Sequence, residues 1–292
     1  MIKQLRLAIK TMRPKQWLKN AFVFAALVFD RQLMNLEPFL LTLVAALLFC
    51  LASSLVYIIN DLADIETDRQ HPIKKNRPLA SGQFSKQAAI ITAIILAILT
   101  FPTAFFISIE FGLIITFYLA LMLAYSFWLK HMQLVDVLII GTGFILRIGA
   151  GVIVIETQLF SPWLFVTTVF LALFIGLGKR RAEIQLLSIN APSHRRVLEG
   201  YSLDFLDQLI TIVLSTTLVT YCLYTFSATI PLDNYYMMLT IPFVIYGLFR
   251  YLYLVRIKDF GGAPEEIILT DKPMQAAVVL WSLTVVVILY LL

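Results

Sequence analysis

Apolar runs long enough to cross a bilayer alternate with short polar segments along nearly the whole chain. At roughly 20 residues per crossing, the runs predict nine transmembrane helices. They fall at approximately 17–34, 37–60, 87–109, 111–129, 136–156, 160–178, 206–229, 233–255 and 273–292, and Asp30 and Arg31 interrupt the end of the first. Ahead of them, Ile2, Leu5, Ile9 and Met12 recur at helical spacing, with Lys3, Arg6, Lys10 and Arg13 on other faces. Residues 1–16 therefore read as an amphipathic helix in the cytoplasmic interface. A basic tail that only orients the chain is an equal alternative for Lys3 and Arg6. The opening residues lack the continuous apolar core of a cleavable signal peptide. The remainder, 17–292, is expected to be a single integral-membrane domain.

Composition makes the membrane reading firmer. Hydrophobic residues make up 60% of the 292, above the 45–50% usual in soluble domains. The fold class that follows is all-α, a polytopic bundle of nine helices around a central cavity open to the cytoplasmic face. With the N-terminus inside, 21 of the 23 Lys and Arg residues lie in inner segments; Arg31 falls outside and Arg147 within a span. That asymmetry predicts a cytoplasmic N-terminus, an outer C-terminus and polar clusters on one side of the membrane. The net charge of +5 does not imply nucleic acid, because the aromatics lie in apolar runs and not between bases. Cys50 and Cys222 sit inside apolar runs and read as small core side chains.

The most informative polar segment is Asn60 to Gly82, NDLADIETDRQHPIKKNRPLASG. Measured from Asp61 at 100° per residue, Asp64 falls at about 300° and Asp68 at about 340°, so the three carboxylates share a helical face. Such a cluster calls for a cation, and a divalent metal ligated by Asp61, Asp64 and Asp68 is the expectation, with Asn60 in support. His71-Pro72 and Arg77-Pro78 should end the helix near Gln70, and Gly82 lets the loop return to the membrane. Arg69, Lys74, Lys75 and Arg77 follow, suited to an anion carried by the metal.

Other candidates are scattered along the chain. Lys15 and Lys19 share a face in RPKQWLKN and serve either a phosphate or the membrane edge; Trp17 is an interface anchor. Tyr125 reads as either an interface anchor or a hydrogen-bond donor into a cavity. His131 is expected to be a plain loop residue. Gly141, Gly143, Gly149 and Gly151 thin the fifth span for close packing. Arg147, a permanent charge at membrane depth, is read as facing the substrate, with a structural arginine as the alternative. Lys179, Arg180, Arg181 and Glu183 end the sixth span as Asp61 ends the second, which suggests two related halves facing one cavity. His194, Arg195 and Arg196 add charge to the following loop. Asp204 and Asp207 open the seventh span, either as carboxylate donors or as complements to the helix dipole. Gly261-Gly262 and Asp271-Lys272-Pro273 read as a connector and a helix start.

No nucleophile elbow, phosphate-binding glycine loop or zinc motif is present in the sequence. The chemistry this set of residues suits is displacement of a diphosphate held by Mg²⁺, with a second substrate entering from the lipid. At these residues the chain resembles the UbiA-type intramembrane prenyltransferases, whose first aspartate-rich motif matches Asn60-Asp61-x-x-Asp64-x-x-x-Asp68. RPKQWLKN, DRQHPIKKNRPLASG, YSFWLKH, GFILRIGAG, KRRAE, EGYSLDFLDQ and GGAPEEIILTDKP together resemble the bacterial decaprenyl-phosphate phosphoribosyltransferase branch of that family. The resemblance implies that polyprenyl phosphate attacks 5-phosphoribosyl 1-diphosphate and releases diphosphate. It implies substrate contacts at Asn60, Lys15, Lys19, Lys74, Arg77, Tyr125, Arg147, Lys179, Arg180, Arg181, Glu183, Tyr201 and Asp204. Where ordinary relatives carry a second aspartate-rich motif, this chain reads Lys179-Arg180-Arg181-Ala182-Glu183, which suits a more anionic substrate pair. The alternatives are prenyl transfer to an aromatic or glycerol-phosphate acceptor, and a transporter; nearly charge-free spans disfavour the latter. Membrane lipids are the other partners expected, and association of several copies is left open.

Overall fold

The computed structural model describes residues 2–70, 74–157, 161–189, 200–226, 235–258 and 264–292. His71-Pro72, His194 to Arg196 and Gly261-Gly262 lie outside the described residues. Every regular element among those described is helical. Twelve α-helices follow in order: α1 Ile2–Met12, α2 Phe24–Phe29, α3 Leu36–Ala63, α4 Ile65–Gln70, α5 Lys86–Ile107, α6 Ile109–Phe127, α7 Val135–Val154, α8 Pro162–Ile189, α9 Leu203–Phe226, α10 Ile241–Ile257, α11 Pro264–Thr270 and α12 Lys272–Tyr290. Four short 3₁₀ segments, Pro14–Val23, Lys74–Asn76, Leu129–His131 and Tyr236–Thr240, join them. Among the described residues, eight stretches are long and apolar enough to cross a membrane: α3, α5, α6, α7, α8 to Gln185, α9, Tyr236–Ile257 and α12. This is a multi-pass membrane protein.

The chain falls into two compact units. The first comprises residues 1–27, 35–129 and 146–156, the second 28–34, 130–145 and 157–292. In the first unit α3 is the most enclosed of the long helices and α5 the least. Leu55 and Ile58 of α3 pack with Ile65 of α4, Leu79 and Phe84 of the loop, Ala89 and Leu96 of α5, and Leu7 and Ala8 of α1. The outer face of α5 exposes Ile90, Ile91, Ile94, Ile95, Ile98 and Leu99. An apolar strip of that size suits lipid and not water. Side chains cap the helix starts: Ser85 accepts from Ala88 N ahead of α5, and Ser108 from Phe111 N ahead of α6. In the second unit, Phe174 and Leu177 of α8 pack with Leu206 and Ile210 of α9 and with Tyr251, Leu254 and Val255 of α10.

Two details depart from the sequence expectation. Helix α1 buries Leu7, Ala8 and Thr11 and leaves Leu5 and Ile9 exposed. It therefore carries one face for the protein and another that suits lipid. The first predicted span is not one long α-helix, because Pro14–Val23 is 3₁₀ and only Phe24–Phe29 is α-helical. Its path is nevertheless defined, since it runs antiparallel along α3. Arg13 meets Asp61, Trp17 Nε1 donates to Ser54 Oγ (3.1 Å), Asn20 Nδ2 donates to Cys50 Sγ (3.2 Å), and the Phe24 ring lies 6.3 Å from that of Phe39.

Gly151 of α7 explains part of this departure. A Cβ built there would stand 2.1 Å from the Val23 carbonyl oxygen, so backbone meets backbone where the 3₁₀ segment ends. Gly151→Ala is expected to destabilise the first unit by about 1–3 kcal/mol, seen as a lower thermal midpoint in detergent. An unchanged midpoint would show that this contact is looser than described.

Candidate active site

Helix α3 ends at Ala63 and α4 starts at Ile65, so the aspartate face bends at Asp64 (φ −96°, ψ 10°). The backbone bonds Asp64 N to Asn60 O (2.9 Å) and Asp68 N to Asp64 O (2.8 Å) keep helical spacing across the break. Asp61 and Asp68 are both buried, and Asp64 is half-buried. Arg77 joins the two buried carboxylates: one guanidinium nitrogen lies 3.2 Å from Asp61 Oδ1 and 2.6 Å from Asp68 Oδ2. A second nitrogen on the same Asp61 oxygen comes from Arg13, at 2.5 Å. Lys74 Nζ stands 3.9 Å from Asp68 Oδ1. Gly82 turns the loop back with φ 75°, and Arg69 Nε donates to Ala80 O (3.2 Å), tying α4 to the same loop.

These residues fit a divalent cation of the hard kind. Two carboxylates already converge on one cationic group, and Mg²⁺ is commonly held by one or two carboxylates with substrate phosphates and water completing the shell. Among the described residues no group of three or more His, Cys, Asp or Glu forms a ready-made cage.

Elsewhere in the first unit, Arg147 is buried. Its Nε donates to Asn20 Oδ1 (2.7 Å) and an Nη donates to Tyr118 Oη (2.9 Å), with the guanidinium 4.9 Å from the Tyr118 ring centroid and 5.8 Å from that of Phe49. Asn20 and Tyr118 lie 127 and 29 residues from Arg147 along the chain, so no local pattern marks them as its partners. Lys19 donates to Gln16 Oε1 (2.6 Å); Lys15 is exposed, while Tyr125 and Asn60 are half-buried.

The second polar cluster belongs to the second unit and is mostly interior. Helix α8 continues well past residue 178, carrying Lys179 to Glu183 within it. Arg180 is among the most deeply buried side chains in the protein. Its Nε lies 2.5 Å from Asp136 Oδ2, Asp136 is fully buried, and Glu183 takes another of its nitrogens. Tyr201 Oη donates to Asp136 Oδ1 (2.8 Å) and accepts from Leu134 N (2.5 Å). Arg181 bonds to Asp207 Oδ1 (2.8 Å), Gln185 Oε1 (2.8 Å) and Val255 O (3.1 Å), and Arg256 approaches the same Asp207 oxygen at 3.1 Å. Lys179 and Glu183 are half-buried and Asp204 is exposed.

Burial, reinforced by the neighbouring Asp136 carboxylate, pushes the Tyr201 hydroxyl up to about 12. The folded protein thus keeps this proton above pH ~10, where the unfolded chain loses it. Stability falls as pH rises from there towards 12. Tyr201→Phe should remove that part of the alkaline slope while lowering stability at pH 7 by about 1 kcal/mol. Paired denaturation curves at pH 7 and 11 test this, and equal losses at both pH values would contradict it.

A family model described as the UbiA prenyltransferase family matches residues 21–264, which include residues of both units. A decaprenyl-phosphate phosphoribosyltransferase of Corynebacterium glutamicum is 33% identical over 291 aligned residues, covering 97% of this chain and 87% of that protein. The decaprenyl-phosphate phosphoribosyltransferase of Mycolicibacterium smegmatis is likewise 33% identical, over 97% of this chain and 92% of that one. Among solved structures, a UbiA homolog from Archaeoglobus fulgidus bound to GPP and Mg²⁺ has a TM-score of 0.71 at 17% identity, covering 96% of this chain and 99% of the other. At that identity the likeness concerns the fold.

Proposed function

The chain belongs to the UbiA prenyltransferase family, and within it we propose that it transfers 5-phosphoribose from 5-phosphoribosyl 1-diphosphate to a polyprenyl phosphate, releasing diphosphate. The observation that carries this reading is the likeness, along 97% of the chain, to decaprenyl-phosphate phosphoribosyltransferases. The chain's own departure from an ordinary two-aspartate-motif site supports it, because bases stand where the second motif would be.

An oxygen of the polyprenyl phosphate attacks the anomeric carbon. The bond from that carbon to the diphosphate oxygen breaks, and the electron pair leaves with diphosphate. The attacking phosphate is already anionic at neutral pH, so the protein needs no general base. What it must supply is positive charge at the leaving group. Arg77 and Lys74 sit beside the Asp61 and Asp68 carboxylates and are assigned to the diphosphate. Asp61 and Asp68, with Asp64, are assigned to Mg²⁺, which when bound would offset the charge growing on the departing oxygen. Lys15, Lys19, Asn60, Tyr125, Lys179 and Asp204 are assigned to the remaining phosphates and hydroxyls, while Arg181 and Tyr201 are held by protein groups. Arg147, Arg180 and Glu183 are engaged with protein groups and contribute by holding helices in place.

The topology proposed is nine crossings, with the N-terminus and a substrate cavity on the cytoplasmic side and the C-terminus outside. The contacts that pair Arg13 through Phe24 with Asp61 through Phe39 support the additional crossing, for they span about 33 Å of α3. The 3₁₀ rise of about 2 Å per residue lets 14–29 cover about 29 Å, close to a hydrocarbon thickness.

A competition assay on membranes separates the reading from ordinary prenyl transfer. Supplied with labelled 5-phosphoribosyl diphosphate and polyprenyl phosphate, or with labelled prenyl diphosphate and an aromatic or glycerol-phosphate acceptor, the protein should use the first pair. Use of the second pair alone would overturn the proposal.

A further inference from the structure

Arg13 opens the RPKQWLKN segment ahead of Lys15 and Lys19, and among the described contacts it makes the shortest one to the aspartates. Its nitrogen stands 2.5 Å from Asp61 Oδ1, the same oxygen that Arg77 approaches at 3.2 Å. Its guanidinium lies over the Tyr57 ring, 4.7 Å from the centroid. The backbone there is unusual, with φ 56° and ψ 63°, a left-handed conformation that is strained for a residue with a Cβ. Neighbouring contacts hold it in place. Met12 O accepts from Ser54 Oγ (3.2 Å), Gln16 N donates to Arg13 O (2.9 Å), and Leu7 and Ala8 pack into the core beside Leu55 and Ile58. The anchor is thus tied to the helix bearing Asp61, while the long side chain retains partial solvent exposure, at 28%.

The Asp61 oxygen that accepts from two guanidinium groups has both lone pairs engaged, so a divalent cation bound at that oxygen must displace one of them. The two guanidinium charges on Asp61 also repel an incoming cation at this short range. Loading a cation at Oδ1 therefore releases one arginine from Asp61, and bringing a cation to either oxygen sets it against both guanidinium charges. Arg77 is also bound to Asp68 at 2.6 Å. Arg13 has Asp61 as its carboxylate and the Tyr57 face as a second support.

We propose that Arg13 is an exchangeable counter-ion. It neutralises Asp61 while the site is metal-free and passes to the oxygens of a diphosphate when metal and substrate arrive. Arg13 thus becomes a further substrate-binding residue, and the metal is discouraged from binding before the diphosphate. This inference rests on the metal–diphosphate assignment of Asp61 and Asp68 made above.

The two halves of the proposal predict effects of opposite sign in one variant. Full-length protein in detergent is titrated with Mn²⁺ alone, followed by the free-ion electron paramagnetic resonance signal. It is separately titrated calorimetrically with inorganic diphosphate in saturating Mg²⁺. Arg13→Gln should bind Mn²⁺ alone about five- to tenfold more tightly than wild type and diphosphate about tenfold more weakly. Should Arg13→Gln fail to give a monodisperse protein, Arg13→Lys, which keeps the charge but loses the planar fork, is read instead. Shifts of the same signs and at least twofold size are expected. Weakening of both ligands together, or no change in either, would overturn the inference while wild-type binding leaves the metal site standing. Wild-type protein that binds neither Mn²⁺ nor Mg²⁺–diphosphate would overturn the metal assignment, and this inference with it.

Discussion

Asp61→Asn is expected to lower phosphoribosyl transfer by about a thousandfold, within the range for loss of one preorganised charge-stabilising group, while the protein stays folded in the membrane. Asn keeps the shape of the side chain but not its charge. Asp61 gathers Arg13 and Arg77 on one oxygen at 2.5 and 3.2 Å. Without the carboxylate, a cation at this site depends on Asp68 and its neighbour Asp64 alone. The fold should tolerate the change because Arg77 keeps Asp68 at 2.6 Å and Arg13 is exposed enough to turn to water. The comparison to make is initial rate per milligram of monodisperse protein, with thermal midpoints measured alongside. Activity within tenfold of wild type would remove Asp61 from the reaction. A matching collapse of the midpoint would mean that its role is structural.

The largest effect on stability is expected at a residue that sequence reading treated only as the start of a span. Asp136 is fully enclosed and faces Arg180, itself almost fully buried, at 2.5 Å. Taking away one member of such a pair strands a charge and costs about 3–5 kcal/mol, a large part of the 5–15 kcal/mol that typically holds a domain together. Asp136→Asn is the sharpest version, because the amide oxygen can still accept from Tyr201 and the main loss is the charge. The double variant Asp136→Leu with Arg180→Met should recover most of the lost stability, since exchanging a whole buried pair for apolar groups is often neutral or better. If Asp136→Asn melts with wild type, the pair is not the fastening described. If the double variant is as unstable as the single one, loss of packing is the cause and not stranded charge.

These two residues also mark how far the sequence could be read. The aspartate segment was legible because carboxylates at helical spacing, directly after an apolar run and directly before bases, form a local pattern. Its partners Lys74 and Arg77 lie within the same segment and were legible with it. Arg13, 48 residues away, was not, because the pairing depends on how α1 and the 3₁₀ segment lie along α3. In the Lys179-Arg180-Arg181 run three bases look alike. Burial separates them, and it depends on Asp136 and Tyr201 being brought to Arg180 by the packing of α7, α8 and the residues before α9. The membrane spans were visible in hydropathy because each run is long enough to dominate its window. The first was misjudged in conformation, since no local propensity foretells a 3₁₀ path shaped by the approach of Gly151 to the Val23 carbonyl. The bend at Asp64 escaped a purely periodic reading for the same reason, as spacing continues across it while the helix axis does not.

The most direct test of the account is product analysis with purified full-length protein, Mg²⁺, 5-phosphoribosyl diphosphate and polyprenyl phosphate. The predicted result is polyprenyl-phosphoryl-5-phosphoribose, identified by mass spectrometry, with one diphosphate released per lipid product and none formed when Mg²⁺ is chelated. Diphosphate release without the ribosylated lipid, or product only when a prenyl diphosphate replaces the sugar donor, would contradict it.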